Sequence, residues 1–156
     1  MEKYQGVKFS FRRTGESFPY DQRLATLNRW AYLFSQLGLT PVHADGAYGN
    51  QSFRTGPSSF IITRSGMAPT EQLLPENYSH VVGFEPSSST FVTEGKAVPS
   101  SESLLHNALY NVSPEINAIL HGHSQLINTY AAALDIPVTR SFFPYGTPEL
   151  AESAVA

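Results

Sequence analysis

Two histidines separated by one residue have the clearest potential for chemistry in this sequence. His121 and His123 follow the apolar run INAIL (116–120). A His-x-His pair alone is more often structural, but on a strand the two rings lie on one face. Desolvating two imidazoles there lowers stability unless each has a binding partner. Two imidazoles held by a rigid strand are suitable ligands for Zn²⁺. The pair therefore favours a divalent metal site.

Glu102 is the second candidate. It lies in PSSESLLHNALYNVSP (99–114), where the spacing predicts a helix capped by Ser100 and ended before Pro114. Glu102 would then be the second helical residue, where a glutamate either complements the helix dipole or acts as a general base or metal ligand. Ser100 and Ser101 either cap the helix or provide hydroxyl and backbone N–H groups for an anion. The local sequence leaves both alternatives open.

Two glycine-containing pairs next to apparent strands are candidates for contact with a ligand. Gly49-Asn50 precedes QSFR, and Ser65-Gly66 follows FIIT. Glycine lets the backbone approach a ligand closely, and an asparagine amide can donate to a phosphate oxygen. Each pair taken alone is typical of an ordinary turn.

The elements that must position these residues follow from hydrophobic spacing. A strand is expected over 5–13 and a sheet-packed helix within 17–38, with Trp30 in the core of that helix. Further predicted strands, with a hairpin turn at TGPS (55–58), are QSFRT (51–55), SFIIT (59–63), SHVVGF (79–84), STFVT (89–93), a buried strand at EINAILHGH (115–123) and IPVTR (136–140). Helices are predicted to start at Ser124 and near Thr147.

Composition limits the classes of protein that this chain can be. Its 156 residues suit one domain, 1–156, and 41% hydrophobic residues suit a folded core. There is no cysteine, so metal ligands must come from His, Asp or Glu. A net charge of −3 without a basic stripe argues against nucleic acid as a partner. With neither an apolar run of membrane-spanning length nor a signal-like start, we expect a cytoplasmic protein that does not bind membranes.

Taken together, the motifs resemble a known family. GNQSFR, FIITRSGM, PSSE, ILHGHS, IPVTR and GTPELAE follow one another as they do in the class II aldolase/adducin family, and the resemblance runs from about residue 20 onward. Within this family, the sequence most resembles members of the L-fuculose-1-phosphate aldolase type. The resemblance implies an α/β fold, a three-layer α/β/α sandwich around a mixed, mostly antiparallel sheet. It also implies that the C-terminal part of the family's domain, with a third histidine and a tyrosine, is missing here.

The resemblance implies roles for individual residues. Glu102 would be the acid/base and a metal ligand, and His121 and His123 would bind zinc. The residues facing the substrate phosphate would be Gly49, Asn50, Ser65, Gly66, Ser100 and Ser101. His106 is expected to be a supporting or core histidine, and His43 and His80 are expected to be loop histidines.

The implied function is metal-dependent retro-aldol cleavage of a ketose phosphate, with a homotetramer whose active sites lie between subunits. Two alternatives stay open. The same site could serve a sugar-phosphate epimerase, dehydratase or decarboxylase, with residues of the 135–147 loop among those that discriminate. The chain could also be a non-catalytic, adducin-like assembly domain.

Overall fold

A computed structural model describes residues 5–44 and 46–156, and its main feature is a six-stranded mixed sheet. The strands and helices of the chain, in order, are β1 Ser10–Gly15, α1 Arg23–Gln36, β2 Val42–His43, β3 Gly46–Ala47, β4 Asn50–Gly56, β5 Ser59–Thr63, β6 Tyr78–Glu85, β7 Thr90–Glu94, α2 Ser103–Val112, β8 Ala118–His121, α3 Gln125–Tyr130 and α4 Pro148–Ser153. The main sheet has the order β1-β7-β6-β5-β4-β8, and β2 and β3 form a separate hairpin. Among the strands of the described ranges, only β1 and β7 pair in parallel, so the predicted mixed, mostly antiparallel sheet is confirmed.

Helices cover both faces of the sheet, which gives the predicted three layers. Neighbouring residues of β5 point to opposite faces, and they separate two apolar clusters. One cluster joins Phe60 and Ile62 to Leu104 of α2 and Ala151 of α4. The other joins Ile61 to Leu24, Leu27 and Ala31 of α1. None of the helices in the described ranges has the length and apolar character needed to span a bilayer.

Helix α1 packs on the sheet as predicted, but Trp30 does not lie in its core. The buried stripe of α1 is narrow, at Leu24, Leu27, Asn28 and Ala31, and Trp30 is 45% exposed outside it. Asn28 is tolerated in the stripe because its amide donates to the carbonyls of Thr70 and Glu71, while the Tyr78 hydroxyl donates to its Oδ1 at 2.7 Å.

Three strand predictions need correction. The first strand covers Ser10–Gly15 rather than 5–13, because Phe9 packs into the core before pairing with β7 begins. The strand at 115–123 is shorter and lies at the sheet edge, with Leu120 37% exposed, so it is not a buried strand. Residues 136–140 form no strand within the described part of the chain, where β8 pairs with β4 alone.

The local signals at two helix starts, those of α3 and α4, were reliable. Ser124 caps α3 by accepting the N–H of Ile127, and Thr147 caps α4 by accepting the N–H of Leu150. Strand β5 has the predicted bounds, and the turn before it links β4 and β5 as an antiparallel hairpin. These features depend on residues close in sequence, which is why the sequence could predict them.

One arginine on β4 fixes the elements that carry the candidate site residues. The guanidinium of Arg54 donates to the carbonyls of Tyr110, Ser113 and Ile116 at 2.7–2.8 Å. Its carbon lies 4.7 Å from the centre of the Tyr110 ring. Arg54 therefore ties the end of α2, and the chain that enters β8, to the centre of the fold.

We predict that Arg54→Ala lowers the free energy of unfolding by about 3 kcal/mol, because three carbonyls lose a charged donor. The matched control is Arg12→Ala, which breaks an exposed ion pair with Glu85 and should cost less than about 1 kcal/mol. Urea unfolding of both variants measures the difference. Equal losses in the two variants would show that Arg54 does not fix these elements.

Candidate active site

One cavity of about 430 Å³ brings together every residue that the sequence singled out for chemistry. These residues come from the starts of β4 and α2 and from the ends of β5 and β8. The predicted residues that line the cavity are Gly49, Asn50, Ser65, Gly66, Ser100, Ser101, Glu102, His121 and His123. Their placement is an observation, whereas their individual roles remain predictions.

Backbone pairing explains why two of the polar motifs are neighbours. The N–H of Ser65 donates to the carbonyl of Val98 at 2.9 Å, and the N–H of Ser100 donates to that of Thr63 at 3.1 Å. The chain leaving β5 therefore runs beside the chain entering α2. As a consequence, Ser65-Gly66 lies next to Ser100-Ser101.

At two glycines the backbone closely approaches neighbouring segments of the chain, and this closes another side of the cavity. Gly49 has φ +84°, and a Cβ there would lie 2.7 Å from the carbonyl oxygen of His121. A Cβ on Gly46 would lie 2.5 Å from the backbone of Gly66. Side chains at these two positions would force the backbone apart, so glycine is required for the loop before β4 to reach both β8 and the Ser65-Gly66 turn.

Helix α2 starts two residues later than predicted, which changes the position of Glu102. The helix begins at Ser103, so Ser100 is not its N-cap, and Glu102 occupies the N-cap position with φ −92° and ψ 14°. Ser100 instead accepts the N–H of Glu102 and the hydroxyl of Ser103 in a preceding turn. Glu102 is only 6% exposed, and its negative charge is favoured by the positive end of α2.

His106 is a fully buried supporting residue, as predicted. Its Nε2 lies 2.6 Å from Asn50 Oδ1, and its Nδ1 lies 2.6 Å from Ser52 Oγ, which in turn lies 2.7 Å from the Tyr110 hydroxyl. Burial, with a smaller contribution from His121, lowers the pKa of His106 to about 3. Burial raises the pKa of Tyr110 to about 12, so at neutral pH its phenol stays protonated.

The proton positions in this network follow from its acceptors. Asn50 Oδ1 can only accept, so Nε2 of the neutral His106 donates to it and Nδ1 accepts from Ser52. The Ser52 oxygen then accepts from Tyr110. His121 Nδ1 also lies 3.4 Å from the same Asn50 oxygen. With its oxygen occupied by two imidazoles, Asn50 has its amide N–H groups left to line the cavity.

The two candidate metal ligands lie side by side. Their ring centres are 4.9 Å apart, although β8 ends at His121. Beyond the end of the strand, the backbone N–H of His123 donates to the carbonyl of Leu39 at 2.7 Å, which holds this part of the chain in place. Burial and, to a lesser degree, the charge of His123 lower the pKa of His121 to about 4. Burial also lowers the pKa of His123. Both rings are therefore neutral at pH 7, the form that binds metal.

The donor set fits a divalent cation only in part. Two neutral imidazoles on one cavity wall are suitable ligands for zinc. Across residues 5–44 and 46–156, however, no three His, Asp or Glu side chains come close enough to hold one ion. The predicted set of Glu102, His121 and His123 therefore does not form a three-ligand group in this conformation, although all three residues line the same cavity.

Several residues at the cavity escaped the sequence analysis. Arg64 lines it beside Ser65-Gly66, with its Nε donating to Asn77 Oδ1 at 2.9 Å. Its place next to a predicted phosphate motif was a signal that could have identified it. Tyr48 lines the same cavity, and its ring lies between those of His43 (4.5 Å) and His123 (5.4 Å).

Neither His43 nor His80 lies in a loop, contrary to expectation. His43 belongs to β2 and lines the cavity. His80 belongs to β6, with its Nδ1 3.0 Å from Glu94 Oε2. A further part of the cavity wall comes from the end of the predicted strand at 136–140, the chain that follows it and α4, and it consists of Thr139, Ser141, Phe142, Phe143, Tyr145 and Leu150.

Comparison with known protein families finds a match over most of the chain. The Class II Aldolase and Adducin N-terminal domain matches residues 25–155. Among curated proteins, the 5-methylthioribulose-1-phosphate/5-deoxyribulose-1-phosphate aldolase of Escherichia coli O45:K1 is 32% identical over 130 residues, 69% of this chain and 54% of that protein. The methylthioribulose-1-phosphate dehydratase of Stenotrophomonas maltophilia is 35% identical over 133 residues, 78% of this chain and 54% of that protein. The chain spans about half the length of these relatives.

Solved structures show the same fold. An L-fuculose 1-phosphate aldolase superposes with a TM-score of 0.63 and 24% identity, over 87% of this chain and 67% of that chain. YgbL from Escherichia coli superposes with a TM-score of 0.57 and 19% identity, over 85% of this chain and 68% of that chain.

We predict that the buried neutral His106 makes the fold sensitive to mild acid. The unfolded chain takes up a proton near pH 6.5, but the folded one does so only near pH 3, so this stabilisation is complete above pH 6.5 and falls as the pH drops. Between pH 6.5 and 5 the loss from one such group rises towards about 1.4 kcal/mol per pH unit. Urea unfolding across this range should show a slope that is smaller by about that amount in His106→Gln. An unchanged slope in the variant would contradict the assignment.

Proposed function

This chain belongs to the class II aldolase and adducin family, and from that premise we propose that it is an enzyme that cleaves a ketose phosphate by metal-assisted retro-aldol chemistry. The observation that carries the proposal is the meeting of Glu102, the two histidines and three polar motifs in one cavity. First substrates to test are 5-methylthioribulose 1-phosphate and 5-deoxyribulose 1-phosphate, the compounds in the name of the Escherichia coli relative.

The phosphate would bind among the polar motifs. Asn50 offers its amide N–H groups, since its oxygen is held by His106 and His121. Ser65, Ser100 and Ser101 line the same region with hydroxyl groups and backbone. The guanidinium of Arg64 adds a positive charge beside Ser65, which compensates the phosphate charge.

His121 and His123 would hold the metal, with zinc as the first choice. A divalent cation bound there would stabilise the negative charge that develops on substrate oxygens during carbon–carbon cleavage. A third protein ligand could be supplied by movement of Glu102 or by a second copy of the chain. We propose a homo-oligomer, by resemblance a tetramer with sites between subunits.

Glu102 would carry out the proton transfer. In the cleavage direction a proton leaves the hydroxyl of C4, the bond between C3 and C4 breaks, the aldehyde departs and C3 receives a proton. Glu102 would accept the proton that leaves the hydroxyl and deliver a proton to C3, so that its carboxylate ends in the form in which it began. Its buried position at the start of α2 fixes the carboxyl group against the cavity, which general acid–base catalysis requires.

A dehydratase is the second candidate, and the name of the Stenotrophomonas maltophilia relative favours it. The same site would then remove a proton beside the carbonyl and expel water instead of an aldehyde. Analysis of products by mass spectrometry separates the two reactions, because dehydration yields one product 18 mass units lighter and cleavage yields two fragments. Epimerase and decarboxylase chemistry would appear as a product of unchanged mass or as release of carbon dioxide.

A non-catalytic assembly role is less well supported. An assembly domain has no use for a buried carboxylate and two neutral imidazoles around one cavity. Burying such groups lowers the stability of the fold. Groups of this kind are typical of sites that bind and convert a ligand, where their chemistry is needed.

The role of Glu102 predicts a specific pattern in Glu102→Gln. Turnover of the preferred ketose phosphate should fall by about 10²–10⁴-fold, because the amide cannot transfer the proton. The melting temperature should stay close to that of the wild type, because glutamine is nearly isosteric with glutamate. Near-normal turnover with a large loss of stability would show instead that Glu102 only stabilises the start of α2.

The metal role predicts that His123→Ala lowers zinc retention after reconstitution and dialysis, measured by elemental analysis. His43→Ala is the matched control, because it removes an imidazole from the same cavity but outside the adjacent pair. Wild type and the control should retain zinc, and His123→Ala should lose most of it. Equal retention in all three proteins would contradict the assignment of the metal to this pair.

A further inference from the structure

The part of the cavity wall formed by residues 139–150 has a composition different from the rest. The polar motifs and the histidines contribute hydrogen-bonding and charged groups, whereas this segment contributes Phe142, Phe143 and Leu150. Phe143 and Leu150 are half-buried, and Phe142 is an exposed rim residue. We call these three residues the apolar wall.

The polar groups beside the apolar wall are already bonded within the chain. The Thr139 hydroxyl donates to the carbonyl of Ser141 at 3.3 Å. The Tyr145 hydroxyl donates to the carbonyl of Gly6 at 3.2 Å and accepts the N–H of Gln5 at 2.5 Å. Ser141 is exposed, so its hydroxyl can remain hydrated. A ligand group lying against the wall therefore meets mainly carbon.

The apolar wall is also held close to the proposed phosphate region. Gly146 has φ +65°, and a Cβ there would lie 2.8 Å from the carbonyl oxygen of Ser101, so the backbone of this segment packs directly on Ser101. The Tyr145 ring is covered by Lys8, whose Nζ lies 4.0 Å from the ring centre. Helix α4, which carries Leu150, is capped by Thr147. The part of the segment from Tyr145 to α4 is thus held against the rest of the cavity.

From this arrangement we infer that the apolar wall selects phosphate esters whose end remote from the phosphate is a deoxy or alkyl group, and that Phe143 is the main specificity-determining residue. The inference rests on the proposed function, since it assumes that the phosphate occupies the polar motifs. A terminal methyl or thioether group would be buried against Phe143 and Leu150. A terminal hydroxyl would lose water there without gaining a partner.

The test uses unreactive probes, so that binding is separated from turnover. Calorimetry would compare inorganic phosphate, pentyl phosphate and 5-hydroxypentyl phosphate. The two esters differ only in the group at the end remote from the phosphate, and inorganic phosphate has no alkyl chain. We expect pentyl phosphate to bind about tenfold or more tightly than its hydroxylated analogue, the discrimination typical of an apolar pocket. Phe143→Asn should bring the two affinities close together, and Phe143→Leu should keep the preference. Trp30→Asn, an exposed aromatic residue outside the cavity, is the control and should change neither affinity.

Equal affinity of the wild type for the two pentyl esters would overturn the inference, and so would a preference that survives in Phe143→Asn. The comparison of the two esters on the wild type needs no variant, so it tests the inference even if Phe143→Asn does not fold. Turnover assays then separate the two claims. A preference for pentyl phosphate without turnover of any ketose phosphate would retain the apolar wall and reject the proposed function. Turnover of a ketose phosphate with no preference for the apolar end would retain the proposed function and reject the apolar wall. Absence of all phosphate ester binding would overturn both claims.

Discussion

The hydrogen bonds of one buried histidine are the constraint on which the cavity depends. His106 sits on α2 and bonds to Asn50 and Ser52 of β4 at 2.6 Å each, and Asn50 is also within 3.4 Å of His121 on β8. The imidazole of His106 therefore links α2 to β4, and Asn50 extends this link to β8, which also pairs with β4 through its backbone. Because burial keeps His106 neutral, this link adds no charge to a site whose electrostatics matter.

The charges around the cavity are separated in a way that suits one type of chemistry. Arg64 places a cation beside Ser65-Gly66, and Glu102 places a carboxylate at the positive end of α2. His121 and His123 are kept neutral by burial. Neutral ligands would leave the charge of a bound cation uncompensated, so that it would act fully on substrate oxygens. Under the proposed function, phosphate binding, proton transfer and charge stabilisation would fall to different residues that line one cavity.

The sequence was informative wherever the determining contacts are local or carried by a family motif. The caps at Ser124 and Thr147, strand β5 and the convergence of the polar motifs were predicted on that basis. The start of α2 was misplaced because Ser100 serves a turn stabilised by pairing of residues 63–65 with 98–100, which no local pattern reveals. The sequence IPVTR has the composition of a strand, but a strand also needs a neighbour to pair with, and that is a tertiary property. The cavity wall at 139–150 and the bonds of Arg54 likewise depend on contacts far apart in sequence.

If the proposed function is right, a metal held by His121 and His123 and a phosphate held by the polar motifs occupy the same cavity at the same time. Phosphorus NMR of pentyl phosphate bound to the protein tests this directly, with Co²⁺ or diamagnetic Zn²⁺ loaded in turn. We expect strong relaxation of the bound phosphorus by Co²⁺, none by Zn²⁺, and loss of the Co²⁺ effect in His121→Ala. Phosphate binding without relaxation by bound Co²⁺ would place the two groups in separate sites and rule out this arrangement.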